Sequence, residues 1–109
     1  QISLDQTKIR QALFNLLRNA QESIQHTHGR ILFSASVVPD GVQITISDNG
    51  CGMTEDQIEN AFRPFVTYKP GGTGLGLAVT RQIIEAHQGT LCVESTPKEG
   101  TSFYIFLPG

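Results

Sequence analysis

The chain has 109 residues, 39% of them hydrophobic, and this size and composition fit one globular domain over residues 1–109. Eight lysines and arginines stand against 10 aspartates and glutamates, for a net charge of −2. Because there is no basic surplus to grip a phosphate backbone, we expect no nucleic-acid partner. No apolar run approaches the ~20 residues that a membrane span needs, so we expect no membrane contact by this domain.

The cysteines and histidines show none of the spacings that are typical of metal or nucleophile sites. Cys51 and Cys92 are isolated, which favours a reducing compartment and predicts a cytoplasmic domain. His26, His28 and His87 have no metal-ligand spacing, and no Ser/His/Asp or Cys/His set is evident. The residues therefore do not support nucleophilic catalysis within this chain.

The first half of the chain predicts a strand, a helix and a pair of strands. Residues 1–4 are expected to form a short strand, and Asp5 is a candidate N-cap. Apolar residues at helical spacing predict one long amphipathic helix over residues 6–25. Residues 30–38 and 42–48 predict two strands that flank a Pro-Asp-Gly turn. One face of the first of these two strands carries Ile31, Phe33, Ala35 and Val37.

The second half predicts two helices and two further strands. Residues 54–57 have the form of a capping box and begin a short helix. Residues 61–73 contain two prolines and two glycines and are predicted to be irregular. Helical spacing returns over residues 74–87. Two final strands are predicted near residues 90–95 and 101–107.

These elements predict an α+β fold with a two-layer α/β sandwich. Adjacent strands with helices between them favour one mixed sheet of about five strands, with about three helices on one face. The other face of the sheet is expected to be more polar.

Asp48 continues the in-phase series Val42, Ile44 and Ile46, so the strand period directs its carboxylate toward the buried side. Two interpretations stay open. The carboxylate caps the turn at Asn49 and Gly50, or it accepts a hydrogen bond from a ligand amino group. In the second case, Gly50 and Gly52 would let a flat ring approach the backbone.

Two asparagines and a glycine-rich segment are weaker candidates for a site. Asn15 and Asn19 lie four residues apart on one helix flank, where they either ligate Mg²⁺ or are solvated. The run from Gly71 to Gly76 precedes a helix, so it is either a phosphate-binding helix start or a hinge. Lys69 just upstream either binds phosphate or lies at the surface. Two nearby phenylalanines, interpreted as core residues or as anchors of a lid, are Phe62 and Phe65.

Five segments resemble, in order, the sequence boxes of the ATP-binding catalytic domain of sensor histidine kinases. Residues 13–20 (LFNLLRNA) are similar to the N box, and residues 48–53 (DNGCGM) to the first glycine box. Residues 62–65 (FRPF) are similar to the F box, 72–77 (GTGLGL) to the second glycine box, and 100–103 (GTSF) to the final Gly-Thr segment. One box is weakly specific, but five in order identify the chain as a member of the Bergerat-fold superfamily shared with gyrase and a heat-shock chaperone.

The resemblance implies roles for individual residues. Asp48 accepts from the adenine amino group, Gly52 lets the base lie close, and the Thr101 hydroxyl supports the adenine pocket. Asn19 ligates the Mg²⁺ that bridges the phosphates, and Asn15 lines the same site. The implied nucleotide-binding residues are Asn19, Asp48, Gly50, Gly52, Lys69, Gly72, Thr73, Gly74, Leu75, Gly76 and Thr101, while Asn15 and Asn19 are the implied catalytic residues and metal ligands.

Two positions depart from the superfamily pattern. Its hydrolysing branches carry a glutamate general base one helical turn before the Mg²⁺ asparagine, and this chain has Asn15 there. Because an amide cannot take a proton from water, the difference favours phosphoryl transfer over ATP hydrolysis. The F box often has an acidic residue where this chain has Arg63, and a phosphate contact, a partner contact and simple exposure stay open for Arg63.

The resemblance implies that Mg-ATP donates its γ-phosphate to a histidine on a separate dimerisation and phosphoacceptor domain of the same kinase. The phosphate then passes to a response regulator. The segment over residues 61–73 would be a short ATP lid, which resembles the nitrogen-regulator class. We expect the isolated chain to lack autophosphorylation. The alternatives are an anti-sigma-factor-type serine kinase, a gyrase-like ATPase and a non-catalytic nucleotide-binding module.

Overall fold

The computed structural model describes residues 6–24, 28–62 and 76–108. This part of the chain contains three helices and four strands. In chain order they are α1 (Gln6–Ser23), β1 (Ile31–Val38), β2 (Gly41–Asp48), α2 (Glu55–Asn60), α3 (Gly76–Ala86), β3 (Thr90–Thr96) and β4 (Gly100–Pro108).

Helix α1 forms where the apolar spacing predicts it. Ala12, Leu16 and Ala20 recur every four residues and are buried, so one stripe of the helix faces the core. The helix ends at Ser23, where the Ser23 hydroxyl donates to the backbone carbonyl of Asn19 at 2.9 Å. The strand predicted at residues 1–4 and the N-cap predicted at Asp5 lie outside the described residues.

The described sheet has the strand order β1-β2-β4-β3, and all three pairings are antiparallel. The prediction of a mixed sheet of about five strands is therefore not matched in the described part of the chain, which has four strands. Short turns join β1 to β2 and β3 to β4, and such hairpins can pair only antiparallel strands. Strand β4 also runs opposite to β2, so no pair in the described sheet is parallel.

Helices α1 and α3 cover one face of the sheet, which gives the two-layer arrangement that the sequence predicts. Helix α1 packs on β2, β4 and α3, while α3 also packs on β3. The short helix α2 has no buried residue. The core between the layers includes Leu16, Ile44, Ile46, Ile84, Phe103 and Ile105. Strand alternation places Thr45, Ser47, Ser102 and Tyr104 on the other face, which is more polar as predicted.

Strand β1 lies at one edge of the described sheet, and its large apolar side chains are exposed. Ile31, Phe33 and Val37 are exposed to 37%, 51% and 87%. Phe33 is paired with the buried Ile46, so the two side chains share the face on which the helices lie. Helix α1 packs above β2 and β4. Strand β1 therefore joins the sheet through its backbone while contributing no buried side chain.

The predicted capping box begins helix α2. The Thr54 hydroxyl accepts from the Gln57 backbone N–H at 3.2 Å, and the Gln57 side-chain oxygen accepts from the Thr54 N–H at 2.9 Å. Two amides that the helix itself cannot satisfy are thereby paired.

Replacing Thr54 with alanine removes the hydroxyl acceptor from the helix start. We expect Thr54→Ala to lower the free energy of unfolding by about 1 kcal/mol. Urea denaturation of both proteins measures the change. An unchanged denaturation midpoint would contradict a stabilising role for this cap.

Candidate nucleotide site

Three polar side chains form a row across the sheet where β2 and β3 end and β4 begins. Asp48 of β2 is paired with Thr101 of β4, and Thr101 is paired with Ser95 of β3. Paired residues share a sheet face, and strand alternation puts this row on the same face as the buried Ile46 and Phe103. Asp48 and Thr101 are only 9% and 3% exposed. The described fold therefore places a carboxylate and a hydroxyl side by side on the sheet face on which the helices lie.

The Asp48 carboxylate caps the turn that follows its strand. Its Oδ1 atom accepts from the Gly50 backbone N–H at 2.8 Å, which confirms the turn-capping interpretation. The second oxygen, Oδ2, is buried and accepts no hydrogen bond from a side chain or backbone group that the structure describes. Because the cap uses Oδ1, it leaves the ligand-binding interpretation open as a prediction.

Ser95 is a member of the row that the sequence analysis missed. Its hydroxyl accepts from the Met53 backbone N–H at 2.8 Å, donates to the Gly100 carbonyl at 2.9 Å and lies 2.7 Å from the Thr101 hydroxyl oxygen. The strand period is the sequence signal that could have indicated its position. Leu91, Val93 and Ser95 are every second residue of β3 and therefore lie on the same face of the sheet. One serine thus joins the loop after β2 to the start of β4.

The glycines of the loop after β2 are required by packing within the chain. A Cβ at Gly50 would lie 2.6 Å from the Ser23 carbonyl oxygen. Gly52 has φ +69°, and its Cβ would lie 2.0 Å from the Thr96 carbonyl oxygen. The Cys51 N–H also donates to Ser23 O at 3.0 Å. The loop is therefore held between the end of α1 and the end of β3, and close approach of a ring to these glycines stays a prediction.

Helix α1 brings the asparagines to the same end of the domain. Asn15 and Asn19 are half-buried and one helical turn apart. Ser23 follows Asn19 by one further turn, about 6 Å along the axis, and contacts the loop after Asp48 through its carbonyl. Among the described residues no group of three His, Cys, Asp or Glu side chains could hold a metal. Amide oxygens fit Mg²⁺ that keeps water and phosphate as its other ligands.

Helix α3 points its N-terminus toward the row. The tight turn after α3 reverses the chain into β3, so the two elements run antiparallel. A Cβ at Gly89 would lie 2.4 Å from the Phe106 carbonyl oxygen, at the far end of β4 from Thr101. The start of α3 at Gly76 therefore lies toward the Thr101 end. The predicted site residues that lie outside the described part of the chain are Lys69, Gly72, Thr73, Gly74 and Leu75, together with Arg63 of the F box.

Phe62 precedes the segment that the structure does not describe. It is half-buried and packs against the core. The Arg81 guanidinium of α3 lies 5.1 Å from the centre of its ring, within range for a cation–π contact. Arg81 also pairs with Glu85 at 3.3 Å on the exposed side of the helix. Of the two interpretations for Phe62, the core contact is present.

Four other titratable side chains in the described part of the chain were named as candidates or have a distinct environment. A hydrogen bond to Glu94 raises the pKa of Tyr104 above its ordinary value of 10.0, and Tyr104 lies on the polar face of the sheet. The His87 ring contacts the Ile83 carbonyl at 2.8 Å near the end of α3. Cys51 and Cys92 are free and exposed. None of the helices in the described ranges is long and apolar enough to cross a membrane.

The family comparison agrees with the fold. The profile described as histidine kinase-, DNA gyrase B- and HSP90-like ATPase matches residues 4–109. The chain therefore belongs to this ATPase family, in the form found in bacterial sensor histidine kinases. The resemblance drawn from the five sequence boxes is confirmed at this level, while the nitrogen-regulator subclass stays a prediction.

Individual relatives are protein kinases and their catalytic domains. Sporulation kinase B of Bacillus subtilis is 43% identical over 104 residues, covering 95% of this chain and 24% of the kinase. A nucleotide-free catalytic domain of histidine kinase ThkA is 34% identical with a TM-score of 0.84, covering 98% of this chain and 70% of that one. Full-length ShkA in complex with AMPPNP is 29% identical with a TM-score of 0.83, covering 99% of this chain and 23% of that one. The chain thus spans about a quarter of the full-length kinases it resembles.

Proposed function

We propose that this chain binds Mg-ATP and presents its γ-phosphate to a histidine on a separate dimerisation and phosphoacceptor domain of the same kinase. Membership of the ATPase family supports the ATP-binding role in two-component signalling. The observation that carries the proposal is the buried pair of Asp48 and Thr101 at the adjoining ends of β2 and β4.

The Asp48–Thr101 pair suits an adenine ring. An ionised carboxylate only accepts hydrogen bonds, so Asp48 matches the exocyclic amino group of adenine. Guanine has a carbonyl at the same ring position, and two acceptors repel each other. The site therefore selects ATP over GTP. Because both groups are nearly shielded from water, this selection is stronger than it would be at an exposed site.

The phosphates extend from the adenine pocket toward α1 and α3. Helix N-termini present unpaired amides and a positive dipole end to phosphate, and α3 starts at Gly76 near the Thr101 end. Asn19 on α1 would supply an amide oxygen to Mg²⁺, and Asn15 would line the same space. The resemblance assigns the phosphate end of the lid to Lys69, Gly72, Thr73, Gly74 and Leu75.

The chemistry is transfer to an imidazole rather than hydrolysis. Phosphoryl transfer requires positioning and neutralisation of charge, which Mg²⁺ held by Asn19 would supply together with the helix amides. An acceptor imidazole nitrogen attacks the γ-phosphorus, the bond to the bridging oxygen breaks, and ADP leaves. Asn15 cannot activate water as a general base. The acceptor belongs to another domain, so the isolated chain does not phosphorylate itself, and a response regulator receives the phosphate afterwards.

Phosphate transfer tests the proposed function. The domain is mixed with Mg²⁺, γ-labelled ATP and a separate protein that carries the acceptor-histidine helical hairpin of the same kinase. We expect label on the hairpin that is stable in alkali and labile in acid. Acid-stable label would instead indicate a serine kinase. Label released only as inorganic phosphate would indicate an ATPase, and ATP binding without transfer would indicate a nucleotide-binding module.

Asn19→Ala tests the proposed metal ligand. We expect Mg²⁺ to stop strengthening ATP binding and the transfer rate to fall by about tenfold or more, while ATP binding without Mg²⁺ is unchanged. Alanine keeps the Asn19 backbone carbonyl that accepts from the Ser23 hydroxyl, so the end of α1 is expected to stay intact. Titration calorimetry with and without Mg²⁺ makes the comparison, with Gln21→Ala on the exposed side of α1 as the control. A lower melting temperature without ligand would make Asn19 structural.

A further inference from the structure

The geometry points to Ser95 as a positioning residue that sets the base specificity of this site. Its hydroxyl orients the Thr101 hydroxyl so that Thr101 offers only lone pairs to the bound base. This inference rests on the proposed function, because it assumes that the purine lies beside Asp48 and Thr101.

The Ser95 oxygen takes part in three hydrogen bonds, and the hydrogens that are available decide the direction of each. A serine hydroxyl has one hydrogen to donate and two lone pairs that accept. The Gly100 carbonyl 2.9 Å away has no hydrogen, so Ser95 donates its own there. The Met53 N–H occupies one lone pair at 2.8 Å. The 2.7 Å contact with the Thr101 hydroxyl must then be donated by Thr101 to the remaining lone pair of Ser95.

The Thr101 hydroxyl then has only lone pairs to offer to a ligand. Its single hydrogen is committed to Ser95, so the Thr101 oxygen presents acceptors only. The neighbouring Asp48 carboxylate is also an acceptor. Two adjacent acceptors complement the two N–H bonds of an exocyclic amino group, and they disfavour a carbonyl oxygen at the same position. Ser95 thus extends the selectivity of Asp48 to the second polar group of the pocket.

Removing the Ser95 hydroxyl frees the Thr101 hydrogen. The Thr101 hydroxyl can then rotate and donate to a carbonyl oxygen, so a purine with a carbonyl at this position becomes a better ligand. Ser95 also holds the Met53 backbone, and its loss loosens the loop after β2. A looser loop weakens the binding of every purine nucleotide by a similar factor. A change in the orientation of the Thr101 hydroxyl instead alters the ratio of the affinities for different nucleotides.

Titration calorimetry with ATP and inosine triphosphate separates these two effects, because inosine has a carbonyl in place of the amino group. For Ser95→Ala we expect the preference for ATP over inosine triphosphate to fall by about tenfold. Ser95→Thr keeps the hydroxyl and is expected to keep the preference. The matched control is Ser47→Ala, which removes a 2.8 Å hydroxyl pair with Ser102 on the opposite face of the same sheet and is expected to leave the ratio unchanged.

Two outcomes overturn the inference, and they differ from each other. If Ser95→Ala weakens the binding of ATP and of inosine triphosphate by the same factor, Ser95 has only a structural role, and the assignment of adenine to Asp48 still holds. If the unmodified domain binds the two nucleotides equally, the assignment of adenine to Asp48 fails and the role of Ser95 fails with it. Thermal melting of each variant confirms that the comparison is made on folded protein.

Discussion

Replacing Asp48 with asparagine is expected to weaken ATP binding by about 10- to 150-fold, with little change in the fold. The substitution removes the charge from the acceptor opposite the adenine amino group, and a hydrogen bond to a charged group contributes about 1.5–3 kcal/mol. The remaining amide oxygen can still accept from the Gly50 N–H, as Oδ1 does now. Titration calorimetry with ATP measures the loss, and GTP is expected to bind poorly to the unmodified domain.

Asp40→Asn is the matched control for this charge change. Asp40 is exposed in the turn at the opposite end of β2, so the same substitution there alters net charge without touching the row. We expect its ATP affinity to equal that of the unmodified domain. Unchanged ATP affinity in Asp48→Asn, or equal affinities of the unmodified domain for ATP and GTP, would show that Asp48 does not contact the base.

Gly52→Ala is expected to destabilise the domain even without nucleotide. Gly52 has φ +69°, and a Cβ there would lie 2.0 Å from the Thr96 carbonyl oxygen. A left-handed alanine alone costs about 1–2 kcal/mol, and the collision with backbone adds to it. We therefore expect the melting temperature of the ligand-free domain to fall by about 8 °C or more. Differential scanning calorimetry of the free domain measures this change.

Gly29→Ala is the control for Gly52→Ala. The three described atoms nearest to a Cβ at Gly29 all belong to the Ile24 side chain, which can move more easily than backbone. We expect a smaller shift in melting temperature. If Gly52→Ala instead melts like the unmodified domain and loses only ATP affinity, the glycine serves the base directly and its packing role is minor.

The strand period was enough to predict that Asp48, the central residue of the proposed site, is buried. Asp48 follows Val42, Ile44 and Ile46 in phase, and the structure buries its carboxylate with that series. The long helix, the capping box and the two hairpins were also predictable, because each depends on residues that are close in sequence. The turn-capping contact to Gly50 is local in the same way.

Features that depend on distant pairing were not predictable. The strand period indicates only the sheet face on which Ser95 lies. Its contact with Met53, which is 42 residues away, follows from a strand register that no short pattern encodes. The need for glycine at position 52 comes from the Thr96 carbonyl, which belongs to the end of β3. The exposure of β1 likewise depends on where α1 crosses the sheet rather than on the alternation within β1 itself.

A crystal structure of the domain with Mg²⁺ and a non-hydrolysable ATP analogue tests the proposed site most directly. We predict that the adenine amino nitrogen lies within about 3.2 Å of a carboxylate oxygen of Asp48. The Thr101 hydroxyl is expected beside the same ring edge, and Mg²⁺ is expected within about 2.1 Å of the Asn19 amide oxygen. A nucleotide bound elsewhere, such as on the polar face near Tyr104, or a ring whose amino group faces solvent, would contradict the assignment.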